Sequence, residues 1–254
     1  MLRALRQRGL AVAEHGAVRR TLLPFLRRAR DRETLYRQLH SYAFRLFLRD
    51  LLAFRDRCLP ERLGPFFTPE SVEEMTALCE RIGLVARGPG PSIRFLADPV
   101  TDFGDTFEWF LSEILRREFS ADTLWGVKLS GLPCGGDFDI VAQVSGRLLY
   151  VEAKTSPPKH IEQREIDAYL ERVRILSPDL SILVVDTHLR MKDKLVPLLT
   201  EGLRAAKRAD CGMVRVEKEI FSWDRRLFLA NSRRDIVPNL SVCLRAYFQD
   251  RFFD

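Results

Sequence analysis

The chain has 254 residues, 46% of them hydrophobic and 30% charged, which is enough to bury a core in one or two domains of ordinary globular composition. No window approaches the roughly 20 apolar residues of a membrane span, so no membrane partner is expected. The net charge of +6 is uneven: residues 1 to 60 hold 14 Arg, no Lys and five acids, a net +9, which leaves the other 194 residues at −3. That asymmetry fits either a phosphate-binding face or a solvated basic helix surface. The opening MLRALRQRGLAVAEHG has no apolar run followed by a small-residue cleavage site, so no secretion signal is expected. Cys58, Cys79, Cys134, Cys211 and Cys243 are odd in number and have no CxxC spacing. With four scattered His residues they read as free thiols of a reduced, cytoplasmic protein rather than a zinc site.

In chain order, residues 17 to 30 and 32 to 57 read as helices. The second carries Leu35, Leu39, Tyr42, Leu46 and Phe47 at helical spacing, and Leu59-Pro60 closes it. Thr68 followed by Pro69 predicts the start of a helix over 69 to 82, stopped by Gly83. Two short strands around the Gly-Pro-Gly-Pro tip at 88 to 91 follow, and helix plus hairpin resemble the end of a winged-helix module. A helical connector with a hairpin fits as well, since Glu70, Glu73, Glu74 and Glu80 would repel phosphates they faced. The predicted domains are therefore an Arg-rich helical region (1–61), a winged-helix-like module (62–100) and a C-terminal domain (101–254).

That last domain reads as helix (102–119), strand (123–130), strand (136–143), strand (147–155), helix (159–176) and strand (180–186). A helix at 188–208, β-rich segments at 212–230 and a final helix at 235–252 complete it. Ser145-Gly146 is the expected hairpin turn between the second and third strands. Side chains alternate faces along a strand, so Glu152 and Lys154 share a side while Ala153 points to the other. Asp137 and Asp139 likewise share a side, and the hairpin can set an Asp of one strand beside Glu-x-Lys of the next. Two carboxylates are hard oxygen ligands of the kind Mg2+ or Mn2+ takes, and a neighbouring amine can steady phosphate charge. The same three residues could also form a salt-bridged strand rim, and Asp137 is an alternative to Asp139.

Asp139, the twelve residues 140 to 151, then Glu152, Ala153 and Lys154 resemble the motif of the PD-(D/E)xK nuclease superfamily. The wording Gly-Asp-Phe-Asp-Ile-Val-Ala through Val-Glu-Ala-Lys-Thr is similar to archaeal-type Holliday-junction resolvases and Mrr-like nucleases. Phe138 stands where the motif has Pro, and the likeness covers about residues 101 to 190. The resemblance implies an α/β fold with a restriction-endonuclease-like core, α-β-β-β-α-β, in which helices flank a mixed central sheet. It further implies a Mg2+-dependent (or Mn2+-dependent) endonuclease, with Asp139, Glu152 and the Ala153 carbonyl as metal ligands and Lys154 orienting or helping to deprotonate the attacking water. Family members often add an acid from the first core helix. Here that acid is Glu108, at the edge of the face formed by Phe103, Phe107, Phe110, Leu111 and Ile114, with a plain surface carboxylate as the alternative.

Candidate phosphate contacts are Lys159 and His160, at the helix start that follows Pro157-Pro158, together with Gln163 and Lys128. Taken singly, Lys159, His160 and Gln163 each read as solvent-facing helix residues before they read as contacts. The expected partner is DNA, with RNA as an alternative substrate and a non-catalytic nucleic-acid-binding or assembly protein on a degenerated nuclease fold as another reading. Cutting both strands of a duplex would call for two sites and hence a homodimer.

Overall fold

The computed structural model describes residues 1–55, 58–131, 137–207 and 212–249. In chain order these form α1 (Leu2–Gln7), β1 (Val12–Glu14), α2 (Ala29–Leu39), α3 (Tyr42–Phe54), α4 (Pro69–Ile82), β2 (Val85–Arg87), β3 (Ile93–Phe95) and α5 (Gly104–Glu118). There follow β4 (Asp122–Leu129), β5 (Phe138–Val144), β6 (Arg147–Lys154), α6 (Gln163–Leu176), β7 (Leu180–Val185), α7 (Leu195–Lys207), β8 (Val214–Glu217), β9 (Ile220–Trp223), β10 (Leu227–Asn231) and α8 (Ile236–Gln249). The chain divides into two compact units, one of residues 1–16 with 111–254 and one of residues 17–110. Those divisions fall at 16/17 and inside α5, whereas composition placed them at 61 and 100.

The larger unit is built on an eight-stranded mixed sheet in the order β1-β4-β5-β6-β7-β10-β9-β8. β4, β5 and β6 run antiparallel, and β6, β7 and β10 run parallel to one another. β9 and β8 finish the sheet antiparallel. Ser145 and Gly146, at φ 47° and 76°, make the turn between β5 and β6 with both central residues left-handed, the geometry whose twist suits a two-residue hairpin. β7 is buried at every position, as a strand covered on both faces must be. Tyr150, Tyr169, Ile166, Leu183, Val185, Leu195 and Leu199 pack in one apolar cluster under α6 and α7. β1, not foreseen from sequence, pairs with β4 at the sheet margin through Val12 and Glu14.

In the smaller unit, α4 spans the residues its signals predict: the Thr68 hydroxyl accepts the Ser71 amide at 3.2 Å, and Gly83 ends the helix at φ 95°. A side chain at Gly83 would press 2.9 Å from the Phe25 carbonyl oxygen, so both conformation and space require glycine there. Arg87 of β2 is held by Glu73 (2.9 and 2.5 Å) and Glu80 (3.5 Å) of α4, which ties the arginine of the hairpin to the acids of the helix.

Several helical expectations are corrected. Residues 17–30 do not form a helix. They make single 3-10 turns at Val18–Arg20 and Leu23–Phe25, because Pro24 lacks an amide hydrogen and the Thr21 hydroxyl bonds its own neighbours, Val18 and Leu23. The helix expected over 32–57 is two helices broken at His40. Ser41 caps α3 by accepting the Phe44 amide, and buried Arg45 donates to the carbonyls of Leu39 (2.5 Å) and His40 (3.2 Å) that end α2. The helix expected from 188 begins only at Leu195. Before it the Thr187 hydroxyl accepts the Leu189 amide and Glu219 accepts the Met191 amide, which occupies the chain in a loop.

Candidate active site

The β5–β6 register pairs Ile140 with Val151 and Val141 with Tyr150, so Asp139 stands one step further along, opposite Glu152. Asp139, Tyr150, Glu152 and Lys154 therefore share the sheet face that α6 covers. The Asp139 carboxylate accepts the Ala153 amide at 2.7 Å. A strand residue sends its N–H and C=O to the same edge, so the Ala153 carbonyl also leaves toward β5. This is the juxtaposition the Asp, Glu-x-Lys spacing predicts.

Glu152 is 0% exposed, and each of its oxygens is occupied. Oε1 receives Arg172 Nη2 at 2.5 Å and lies 3.0 Å from Lys154 Nζ. Oε2 receives Arg172 Nε at 3.1 Å and the Tyr150 hydroxyl, which itself accepts from Arg172 Nε at 3.0 Å. Lys154 is 23% exposed and also reaches Glu165 at 3.9 Å. Neither Arg172 nor Tyr150 stands out in the sequence as a site residue. Tyr150 does lie two positions before Glu152, hence on its face, and Arg172 falls between Tyr169 and Leu176 on the buried stripe of α6. A charge on an apolar stripe was the available signal.

The electrostatics follow from this packing. Desolvation, and then the charge of Glu152, push the Asp139 carboxyl up to about 8, far above the usual carboxylate range. Burial also works against the charge of Glu152, yet Lys154 and Arg172 outweigh it and hold that carboxyl below its ordinary range. Desolvation opposes the charge of Lys154 in turn, but Glu152 and Asp139 raise its pKa, so the amine stays an ammonium. One carboxyl that burial drives toward its neutral form, one carboxylate and two cations thus stand together on the sheet face beneath α6.

The remaining predicted residues are dispersed. Lys128 pairs with Glu14 at 3.0 Å across the β1–β4 margin. Gln163 donates to Asp167 (2.8 Å) and to the Leu198 carbonyl (3.3 Å), which commits its amide to α7. Lys159 and His160 are exposed but do not stand at a helix start: they belong to a single 3-10 turn (Pro158–His160), α6 begins only at Gln163 with its first amides capped by Glu162, and the Lys159 carbonyl accepts from Lys194. Glu108 lies on the part of α5 that belongs to the smaller unit. Asp137 is half-buried just before β5; Gly135 and Gly136, which the sequence offers either as a close backbone approach to substrate or as a plain tight turn, lie outside the described residues. Several arginines of the basic N-terminal stretch serve internal contacts: Arg45 at the α2–α3 break, Arg8 on Asp179 at 3.2 Å, and Arg55 on the Val100 carbonyl at 2.6 Å.

As to a metal, no group of three His, Cys, Asp or Glu side chains placed to hold one is found among the described residues. The donor set at hand is two carboxylates and a backbone carbonyl, which suits a hard oxygen-seeking dication, with water and substrate oxygens completing its shell. Asp139 fits that role best: its second oxygen makes no hydrogen bond among the described residues, and the proton it holds near neutrality is what a cation would displace. Glu152 could serve only in competition with Arg172 and Lys154.

No family model matches the chain, and no curated protein does. Among solved structures it is similar to protein VC1899 from Vibrio cholerae, at 15% identity and a TM-score of 0.41, over 63% of this chain and 49% of that one. The chain thus spans about half the length of that protein. No helix among the described residues is long and apolar enough to cross a membrane.

Proposed function

We propose that the protein is a divalent-metal-dependent nuclease that hydrolyses phosphodiester bonds of DNA, on a PD-(D/E)xK core of the restriction-endonuclease type formed by α5, β4, β5, β6, α6 and β7. One observation carries this reading: the β5–β6 register sets Asp139 opposite Glu152 on one sheet face, with the Ala153 amide 2.7 Å from the Asp139 carboxylate and the Lys154 amine 3.0 Å from Glu152. The element order α-β-β-β-α-β around these residues supports it, as does their place where β6 ends and β5 begins, an edge at which open α/β sheets gather ligands.

Asp139, the Ala153 carbonyl and Glu152 would hold the ion. When bound, Mg2+ or Mn2+ supplies polarisation of the phosphate and a water acidic enough to attack it. Lys154, charged and pointed at the carboxylates, steadies negative charge growing on the phosphate; its raised pKa keeps it an ammonium that donates hydrogen bonds and does not take up a proton. Arg172 and Tyr150 fix the Glu152 carboxylate in one orientation. RNA offers the same phosphodiester chemistry and is the alternative substrate.

A second reading has an observation of its own. The Tyr150–Glu152–Arg172–Lys154 network is complete without any ligand, as it would be in a nucleic-acid-binding protein on a degenerated nuclease fold. Labelled DNA and RNA of equal sequence, incubated with Mn2+ and wild-type or Asp139→Asn protein, separate these readings. We expect cleavage by the wild type alone. Binding without cleavage by either protein would favour the second reading.

A further inference from the structure

A second basic feature lies on the same sheet edge as the carboxylates. The β6–β7 register pairs Lys154 with Val185, and the β7–β10 register pairs Val185 with Asn231. These three strands are parallel, so the chain leaving β10 emerges at the edge where Glu152 and Lys154 sit, two strand spacings or about 10 Å away. There Arg215, Lys218, Arg233 and Arg234 line a cavity of about 270 Å³ with Asn231 and Asn239. Glu219 is the one acid in its wall: it is nearly buried, accepts the Met191 amide at 2.8 Å, and lies 3.9 Å from Arg215. Lys218 pairs with Glu217 at 3.0 Å outside the cavity.

The loop that presents Arg233 and Arg234 is firmly built. Buried Asn231 accepts the Arg233 amide at 3.2 Å and donates to the Leu189 carbonyl at 3.2 Å. Asn239 of α8 donates to the carbonyls of Asn231 (2.6 Å) and Arg233 (3.2 Å), and the buried Ser232 hydroxyl donates to the Thr187 carbonyl. Arg234 is held at φ 77°, a left-handed conformation that an arginine adopts only where its surroundings impose it. Both guanidinium groups are exposed and neither makes a hydrogen bond or close ion pair among the described residues, although the Glu217 carboxylate, held chiefly by Lys218, is near enough to feel the charge of Arg234. Two cations with rigid backbones and unused donors, beside two more, form a receptor for phosphate oxygens.

We propose that this cavity binds the phosphodiester backbone of the polynucleotide whose scissile phosphate lies at Asp139 and Glu152. At a rise of about 3.4 Å per nucleotide along one strand, 10 Å corresponds to roughly three nucleotide steps from the reacting phosphate. The inference rests on the nuclease reading for the orientation of the strand, but not for the chemistry of binding.

The test is fluorescence anisotropy of end-labelled DNA and RNA oligonucleotides in EDTA, across a salt series, with inorganic phosphate as a separate competitor. The variant is Arg233→Gln with Arg234→Asn, asparagine being chosen because it tolerates a left-handed backbone. We expect about tenfold weaker binding and a salt slope flatter by about one for each phosphate that goes unneutralised. The charge-preserving pair Arg233→Lys with Arg234→Lys should keep the wild-type slope, which separates lost charge from lost fold. Unchanged affinity and slope in the neutral pair overturn the proposal, as does the absence of any oligonucleotide binding by the wild type. Salt-dependent binding that needs the two arginines, in a protein that cleaves nothing, would sink the nuclease reading and leave this one standing. Cleavage by the wild type with no effect of the pair on binding would do the reverse.

Discussion

Replacing Asp139 by Asn should abolish a pH dependence of stability that the wild type owes to one carboxyl group. An ordinary aspartate titrates near 3.8, whereas here desolvation and the charge of Glu152 push the group up to about 8. Between those values the folded protein holds a proton that the unfolded chain has released, so stability falls as pH rises. The contribution is fully present below about pH 4 and is lost as pH climbs through 8. At about 1.4 kcal/mol per pH unit the ceiling is roughly 6 kcal/mol. The proton is shared with Glu152 and Lys154 to some degree, so about 2–3 kcal/mol is the expected loss between pH 5 and 8. For a unit of this size that corresponds to a fall in Tm of about 5–10 °C. Thermal denaturation followed by circular dichroism across that range measures it, with the Asp139→Asn protein as reference. A wild-type stability that is flat or rising over pH 5–8, or a fall of equal size in Asp139→Asn, would refute a desolvated Asp139 carboxyl that holds its proton in the folded protein.

Other outcomes follow from the same network. Arg172→Met removes the main partner of a buried carboxylate and should cost about 3–5 kcal/mol in urea denaturation; adding Glu152→Gln should recover a large part of that. Tyr150→Phe deletes one hydroxyl from the cluster and should cost about 1–2 kcal/mol by the same assay. Lys154→Ala should abolish metal-dependent cleavage of labelled DNA while leaving anisotropy-measured affinity within severalfold of wild type; cleavage at the wild-type rate would remove Lys154 from the chemistry. In the smaller unit, Ser41→Ala should destabilise by about 1 kcal/mol through removal of the α3 cap, read as a lower denaturant midpoint.

What could be read from the residues depended on whether the signal was local. The β5–β6 hairpin was legible because Ser145-Gly146 marks its turn and alternation fixes which side chains share a face, so the residues alone set an Asp, either Asp137 or Asp139, beside Glu152, and the family resemblance favoured Asp139. Helix α4 was legible for a similar reason, since Thr68, Pro69 and Gly83 act within one helical turn. The helix expected over 17–30 failed where Thr21 and Pro24 offered the backbone other hydrogen-bonding arrangements. The break at His40 depended on Arg45, a buried guanidinium that reaches back to two helix-ending carbonyls, and helical periodicity carries no trace of that interaction. Arg172 was missed because its partner Glu152 lies twenty positions earlier and meets it only when α6 packs on the sheet. The basic cavity beyond β10 needed the strand order β6-β7-β10, which skips α7 and the β8–β9 hairpin; no spacing in the chain encodes that adjacency.

The most direct test of the paired carboxylates as a metal centre is calorimetric titration of Mn2+ into the protein at pH 7, repeated in buffers of different ionisation enthalpy to count protons. The account predicts one bound ion that displaces about one proton from Asp139, and loss of that binding in Asp139→Asn. Absence of binding to the wild type, or binding that Asp139→Asn retains unchanged, would contradict it.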